Sequence, residues 1–396
     1  MWCLILLHLK KKGGGNGRYE TAKSVNLVRF TIVLFVVLIA AILPTGLKII
    51  QRQLAGPATF AHDGLIQTEI AIEYLLDDRN PYTEDYADTH MADFPGNEPP
   101  FTDAPLYHNA YLPFLFISSI PFYWLSQATL GWYDQRFVYL LAFLGSVLLL
   151  TQITDPKRPR DKLAIILAFG LNYLGIFYLA DGRNDIMVFF FFAAATWLLS
   201  LNRVRGASLM IGLAMAIKHQ AWFFLPFFIL FLLPKQPQWK DGRKLVSQIW
   251  PVFLGVLLFV VPFLVWDMHS FIDDTVTYIS GSGPNSFPMK GWGFSTFLLV
   301  TGLVSDPEAA FPFTLFALLA GLPVLFIMLR RQWRDNSLQN AWLGFLFFSF
   351  VFQFFSRFFS DNYVIFTLQM LLVIAFLKPV YATSASEEPL AHNIVG

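Results

Sequence analysis

Three charged residues, far apart in the chain, have types and settings suited to chemistry on an anionic substrate: Asp63, Lys218 and Arg357. Asp63 stands in His62-Asp63-Gly64, just after the apolar run Val28–Ile50, inside a polar segment, Gln51–Asn109. That segment holds eleven carboxylates against two basic residues, Arg52 and Arg79. A carboxylate at a membrane surface can serve as general base, taking the proton of a hydroxyl as its oxygen attacks. Helix capping is the other use of Asp63, which stands where an N-cap would. Asp77, Asp78 and Asp103 are weaker rivals, read as solvated loop residues. Lys218 interrupts the apolar stretch Ala207–Leu233. A charge at membrane depth is expensive, so Lys218 is a functional candidate, with the holding of a phosphate as its obvious use. A lysine snorkelling from a helix end is the bland alternative. Arg357, in Ser356-Arg357-Phe358, has a fork geometry that suits phosphate better still, unless it pairs with Asp361.

Other polar residues can support these three. Asp181-Gly182-Arg183-Asn184-Asp185 joins two apolar segments. It is a polar turn, or else Asn184 and Asp185 cap the next helix while orienting sugar hydroxyls. His219 reads as a core or tip histidine that can touch substrate, not as a metal ligand. Tyr82 belongs to an aromatic-rich loop whose rings anchor at the interface or stack on a sugar. The histidines show no metal-ligand spacing, and no Walker loop or dinucleotide fingerprint is present. The single cysteine, Cys3, excludes an internal disulfide framework. No cofactor and no metal is expected, and a net charge of +1 gives no reason to expect nucleic acid.

The elements that position these residues are membrane helices. Hydrophobic residues make up 56% of the chain and charged ones 14%, with mean hydropathy +0.53, where a soluble domain carries about 25% charged residues. The class is all-α polytopic membrane protein. Ten apolar segments read as spans: Val28–Ile50, Phe137–Thr151, Leu163–Ala180, Ile186–Leu201, Ala207–Ile217, Ala221–Leu233, Leu245–Trp266, Phe311–Leu329, Leu338–Phe355 and Tyr363–Leu377. The basic clusters Lys157–Lys162, Arg203 with Arg205, Lys235–Lys244 and Arg330–Arg334 then all fall in the cytoplasm, with both termini. This threading keeps Tyr111–Leu130, broken by Pro113 and Pro121, and the glycine-bearing Gly291–Leu303 from spanning. Residues 1–27 and 379–396 read as cytoplasmic tails around one domain, 28–378, with an extracytoplasmic loop at 51–135. Within that loop Gly64–Leu76 reads as an amphipathic helix with Leu65, Ile72, Leu75 and Leu76 toward lipid, stopped by Asn80-Pro81-Tyr82. Asp63, Asp181–Asp185, Lys218–Gln220, Asp267–Lys290, Arg357 and Asp361 collect at the outer face.

This order of features resembles the C-type, multi-spanning glycosyltransferases (the GT-C fold). It is most similar to the bacterial mannosyl- and arabinofuranosyltransferase-like enzymes that use polyprenyl-phosphate sugars. The likeness rests on the first span, the loop opening with Asp63, Asn80-Pro81-Tyr82, Tyr111-Leu112-Pro113, the Asp181–Asp185 motif, and Lys218 after a small-residue helix carrying Gly206, Gly212, Ala214 and Ala216. It covers roughly residues 28–233. Asp181-Gly182-Arg183-Asn184 departs from the Gly-Gln usual in the nearest relatives, and His219 stands where proline is usual. The resemblance implies Asp63 as catalytic base and Lys218, with Arg357, as ligands of the donor phosphate. It implies an inverting, nucleotide-independent hexosyl- or pentosyltransferase of the plasma membrane. The donor would be a polyprenyl-phosphate-linked sugar, the acceptor a glycolipid or cell-envelope glycan. Rival readings are a secondary transporter, which lacks the internal repeat such proteins show, and a noncatalytic membrane subunit of an envelope-assembly complex.

Overall fold

A computed structural model describes residues 15–95, 104–236, 238–283 and 286–381. Glu98, Phe101, Asp103 and most of both tails lie outside the described residues. The chain opens with helix α1, Gly15–Ala55. After a short loop comes α2, Asp63–Leu76, then the outer pieces α3, Phe114–Ile117, and α4, Ile120–Leu130. The bundle follows: α5, Arg136–Ile153; α6, Pro159–Gly170; α7, Tyr173–Asp181; α8, Asp185–Ser200; α9, Val204–Met215; and α10, Leu225–Leu232. A long helix α11, Trp239–Phe259, and a short α12, Val261–Trp266, lead to an outer loop with α13, Met268–Ile272, and α14, Phe294–Val300. Three helices close the bundle: α15, Phe313–Arg334; α16, Leu338–Phe354; and α17, Asp361–Phe376. Two short parallel strands, β1 (Lys290–Gly291) and β2 (Phe358–Phe359), join the outer loop to the α16–α17 turn.

Each of the ten apolar segments is recovered as a helical unit, but the units differ in length. Among the described residues four are long and apolar enough to cross a bilayer, in α1, α5, α11 and α15. A fifth is the α6–α7 pair, bent by 50° where one straight span was expected. The bend falls where Asn172 leaves the helical region and its side chain caps α7 through the Gly175 amide at 3.0 Å. The other five units are shorter; α9, with 12 residues, is about 18 Å long against a hydrocarbon core of about 30 Å. The proline-broken outer segment splits into α3 and α4 at Ser118–Ser119, and the glycine-bearing one yields only the seven residues of α14. Neither is long enough to span.

Contacts at the helix ends separate two poles. At one, Thr154 bridges Leu377 and Ser337 bridges Tyr381, and the Asn336 amide donates to the carbonyls of Leu230 and Leu233 at 2.9 and 3.2 Å. The basic clusters adjoin this pole. At the other pole the α7–α8 turn, Lys218 and the α16–α17 turn meet. Helix α9 reaches it along α11 with the two backbones in contact: a Cβ on Gly212 would overlap the Val252 carbonyl, and one on Gly255 would overlap Gly212.

Helix α2 departs from the amphipathic reading. Leu65 and Ile72 are fully buried, and ten of its fourteen residues are buried. Leu65, Ile66, Ile70 and Tyr74 pack with Tyr86, Met91 and Leu106 of the following loop, while Ile72 joins the main core. The loop covers Leu65, while Ile72 and the half-buried Leu75 and Leu76 pack on the bundle core, so the face expected to meet lipid meets protein. The helix stops at Leu76, with Asp78 in the left-handed region at φ 57°, before Asn80-Pro81 is reached. Glu69 is not solvated. It takes a two-pronged ion pair from Arg52 at 2.9 and 2.6 Å and accepts the Gln135 N–H at 2.7 Å. Arg52 also reaches Asp134 at 3.1 Å, and Asp134 is held by Arg136 at 2.8 and 2.7 Å. All four side chains are buried. Two arginines and two carboxylates cancel, and the charge-assisted bonds replace lost hydration. Removing one member strands a buried charge, so Glu69→Ala should cost about 3–5 kcal/mol. Thermal unfolding in detergent should show that loss, and the double change Arg52→Met with Glu69→Leu should recover part of it.

Candidate active site

At the polar pole lies a cavity of about 490 Å³. Asp63, Lys218 and Arg357 all line it, although 294 positions separate the first from the last, and His62, Arg183, Asp185 and Lys290 join them. Apolar side chains line it as well, among them Phe223, Ile279, Phe313, Ala317 and Phe352. The lining thus offers both charged groups and hydrocarbon surface to a ligand.

Asp63 is the first residue of α2, not its cap. The cap is His62, whose own N–H donates to the Asp181 carbonyl at 2.8 Å, tying the start of α2 to the end of α7. The Asp63 carboxylate lies 2.6 Å from His62 Nδ1 and accepts the Gly64 N–H at 2.6 Å. The Gly64 N–H also points at His62 Nδ1, at 3.1 Å. Burial opposes ionisation of Asp63. The charge and hydrogen bond of His62, the nearby Lys290 and the Gly64 N–H outweigh it and hold the carboxyl well below the usual range. Gly64 has no room for a side chain, because the Tyr111 ring and hydroxyl lie against its Cα.

Lys218 sits at the break between α9 and a 3-10 turn, His219–Phe224. Its Nζ donates to Asp185 at 2.7 Å and to Asn184 at 3.1 Å, and lies 5.5 Å from the Tyr363 ring centre. It is paired across the cavity wall and does not snorkel. Asn184 and Asp185, whose carboxylate also takes an N–H from Asn362 at 2.7 Å, are therefore in place, and His219 lines the cavity too. Arg357 is placed differently from expectation. It touches the cavity, but its Nε donates to the Phe287 carbonyl, Nη1 to Ala309 at 2.9 Å and Nη2 to Pro307 at 3.2 Å. Each of the three nitrogens is anchored to a backbone carbonyl, which leaves one N–H on each of Nη1 and Nη2. Nor does it pair with Asp361, which is taken by Arg183 at 2.8 Å.

The family model described as glycosyltransferase family 87 matches residues 109–383, more than half of the chain. The chain belongs to glycosyltransferase family 87. It is thus a membrane glycosyltransferase, as its sequence resemblance implied at the level of broad type. No curated protein and no solved structure matches it. The matched region contains Lys218 and Arg357; Asp63 precedes it.

Two expected substrate contacts fall away from the cavity wall of this family 87 protein. Tyr82 is buried, edge-on to Phe263 and Phe271, with its hydroxyl on the Tyr111 carbonyl at 2.7 Å. Asp181 binds Lys48 at 3.1 Å and faces Arg183 at 3.5 Å, outside the lining. The Tyr82 side chain packs the outer loop against α12 and α13, and that of Asp181 joins α1 to the end of α7. Lys290, conversely, lines the cavity without having been singled out. Its signal was available: it is the only lysine or arginine between Lys244 and Arg330.

A second polar cluster lies behind the cavity. The His108 ring stacks on the cavity residue Tyr278 at 4.5 Å, and its Nδ1 lies 2.8 Å from Asp274 and 3.9 Å from Asp273. These groups stand close enough to hold a cation, but both Asp274 oxygens already have partners, His108 and the Asn109 N–H at 2.8 Å. Burial pushes the Asp274 carboxyl up to about 6, against its bonds to His108 and Asn109. It binds its proton more tightly folded than unfolded, where the value is about 4. Its contribution to stability is therefore full below pH 4 and lost as pH rises through 6. In Asp274→Asn the amide oxygen can still accept the Asn109 N–H. The difference in melting temperature between this variant and wild type should accordingly grow in the variant's favour between pH 4 and 7.

Proposed function

We propose that this protein transfers a sugar from a polyprenyl-phosphate donor to a hydroxyl of a glycolipid or cell-envelope glycan, at the extracytoplasmic face of the plasma membrane. One observation carries the reading: a carboxylate whose tightest partner is His62, a cluster of cations and a set of apolar side chains line a single cavity. The lipid tail lies along Phe313, Ala317 and Phe352, and the phosphate faces the cationic side. Asp63 takes the proton of the acceptor hydroxyl as its oxygen bonds to the anomeric carbon. The bond from that carbon to the phosphate oxygen breaks, and polyprenyl phosphate leaves with the electron pair. A single displacement inverts the anomeric configuration, for a hexose or a pentose alike. No nucleotide takes part, and no metal is required by the step.

Lys218 has three N–H bonds and uses two on Asp185 and Asn184, leaving one for substrate. Asp185 and Asn184 set its direction, and Asn184 and His219 contact the sugar. The low pKa of Asp63 makes it a weak base in the empty cavity. A bound phosphate sets negative charge beside it, which raises its affinity for a proton when the acceptor needs it.

The test is transfer from radiolabelled polyprenyl-phosphate sugars to membrane extract by the purified protein. Asp63→Asn should lower the rate by about a hundredfold or more, with the melting temperature and lipid binding close to wild type. A folded Asp63→Asn protein that retains full transfer would reject the role of Asp63, and turnover of nucleotide sugars alone would reject the donor class.

A further inference from the structure

The cavity lining carries four cationic side chains, Arg183, Lys218, Lys290 and Arg357, against two carboxylates, Asp63 and Asp185. Three of the four are already occupied. Lys218 is held by Asp185 and Asn184. Arg183 bonds Asp361 and faces Asp181. Arg357 is buried and anchored to a carbonyl through each of its three nitrogens. Lys290 is different: among the described residues it has no hydrogen-bond or ion-pair partner. It is exposed within the cavity, and its Nζ rests over the Phe287 ring at 4.4 Å from the centre. It is near enough to Asp63 to be felt by that carboxylate without pairing with it.

The backbone around Lys290 is built with unusual care for a loop. Strand β1 pairs in parallel with β2, Lys290 opposite Phe358. Gly291 has φ 103°, and a Cβ there would overlap the Phe359 carbonyl, so the residue beside Lys290 must be glycine. The Trp292 N–H bonds the Phe359 carbonyl at 2.8 Å, and the Met289 N–H bonds Pro307 at 2.8 Å. Arg357 ties the carbonyls of Phe287, Pro307 and Ala309 together from inside. A buried arginine and a two-residue sheet therefore fix the cavity cation that, among the described residues, has no hydrogen-bond or ion-pair partner.

We propose that Lys290 is the principal ligand of the donor phosphate and that Arg357 is the positioning residue that holds its loop. The assignment rests on the lipid-phosphate reading above. It replaces Arg357 as a phosphate ligand and sets the phosphate opposite Asp63. An ammonium with all three N–H bonds free can follow the phosphate as its charge grows during departure. The excess of cations over carboxylates in the lining matches a leaving group that gains a second negative charge as its ester bond breaks.

The experiment titrates farnesyl phosphate into the purified full-length protein in detergent, read by tryptophan fluorescence, with farnesol and inorganic phosphate as parallel probes. Lys290→Met should bind farnesyl phosphate about tenfold or more weakly, the loss expected for a charge-assisted bond. Farnesol binding should be unchanged, and Lys290→Arg should restore most of the affinity. Arg357→Lys should also weaken farnesyl phosphate, and adding Lys290→Met to it should cost little more, because the two act through one contact. Equal affinity of Lys290→Met and wild type for farnesyl phosphate would overturn the assignment while leaving the lipid-phosphate reading standing. Wild type that binds farnesol as well as farnesyl phosphate would overturn that reading and the assignment with it. Displacement of farnesyl phosphate by inorganic phosphate at comparable concentration would overturn the lipid source of the phosphate.

Discussion

The architecture of the outer pole depends on one buried charge network, Arg52–Glu69–Asp134–Arg136. It gathers the end of α1, the middle of α2 and the start of α5 at a single point. Arg136 goes further and donates to the carbonyls of Phe60 and Ala180, at 2.9 and 3.0 Å. Those carbonyls adjoin two stretches that contribute to the cavity lining, the His62-Asp63 entry to α2 and the Asp181–Asp185 turn. Apolar packing in a membrane protein gives little orientation, because lipid competes equally for hydrocarbon. A closed set of ion pairs is directional, and here it sets where the catalytic candidate stands.

The cavity follows the same economy of charge. Most of its ionic groups are satisfied by one another, which keeps a half-apolar chamber from being filled with unpaired charge. Asp185 neutralises Lys218, and Asp361 neutralises Arg183. What is left over among the described residues is small and local: Asp63 with His62 as its close ionic partner, and the Lys290 ammonium with no ionic partner. Reactivity in such a site comes from the exceptions to pairing.

Much of this was legible in the sequence. Apolar segments ending in polar motifs located one pole, and the positive-inside pattern located the other, so the meeting of Asp63, Lys218 and Arg357 could be expected from segment ends alone. The partners could not. Nothing local to Glu69 reveals that Arg52 and Asp134 enclose it, and an acidic residue in a polar loop reads as solvated until the covering chain is placed. Tyr82 reads as an interfacial ring for the same reason; Phe263 and Phe271, which bury it, lie in another part of the chain. Arg357 shows a different limit. Residue type names the anions an arginine prefers but not the carbonyls of Phe287, Pro307 and Ala309 that reach it first. Lys290 was overlooked because charge was read in clusters, and it stands alone.

The crossing of α9 and α11 has an evolutionary consequence. At Gly212 and Gly255 the touching atoms belong to main chain, so neither side can shrink to make room for the other. Compensating pairs of substitutions, the common route by which packed helices drift, are closed at this spot. A lineage that abandons glycine at either position must pry the two rods apart. The tip bearing Lys218 would travel with them, and the transferase would have to rebuild its chamber to follow.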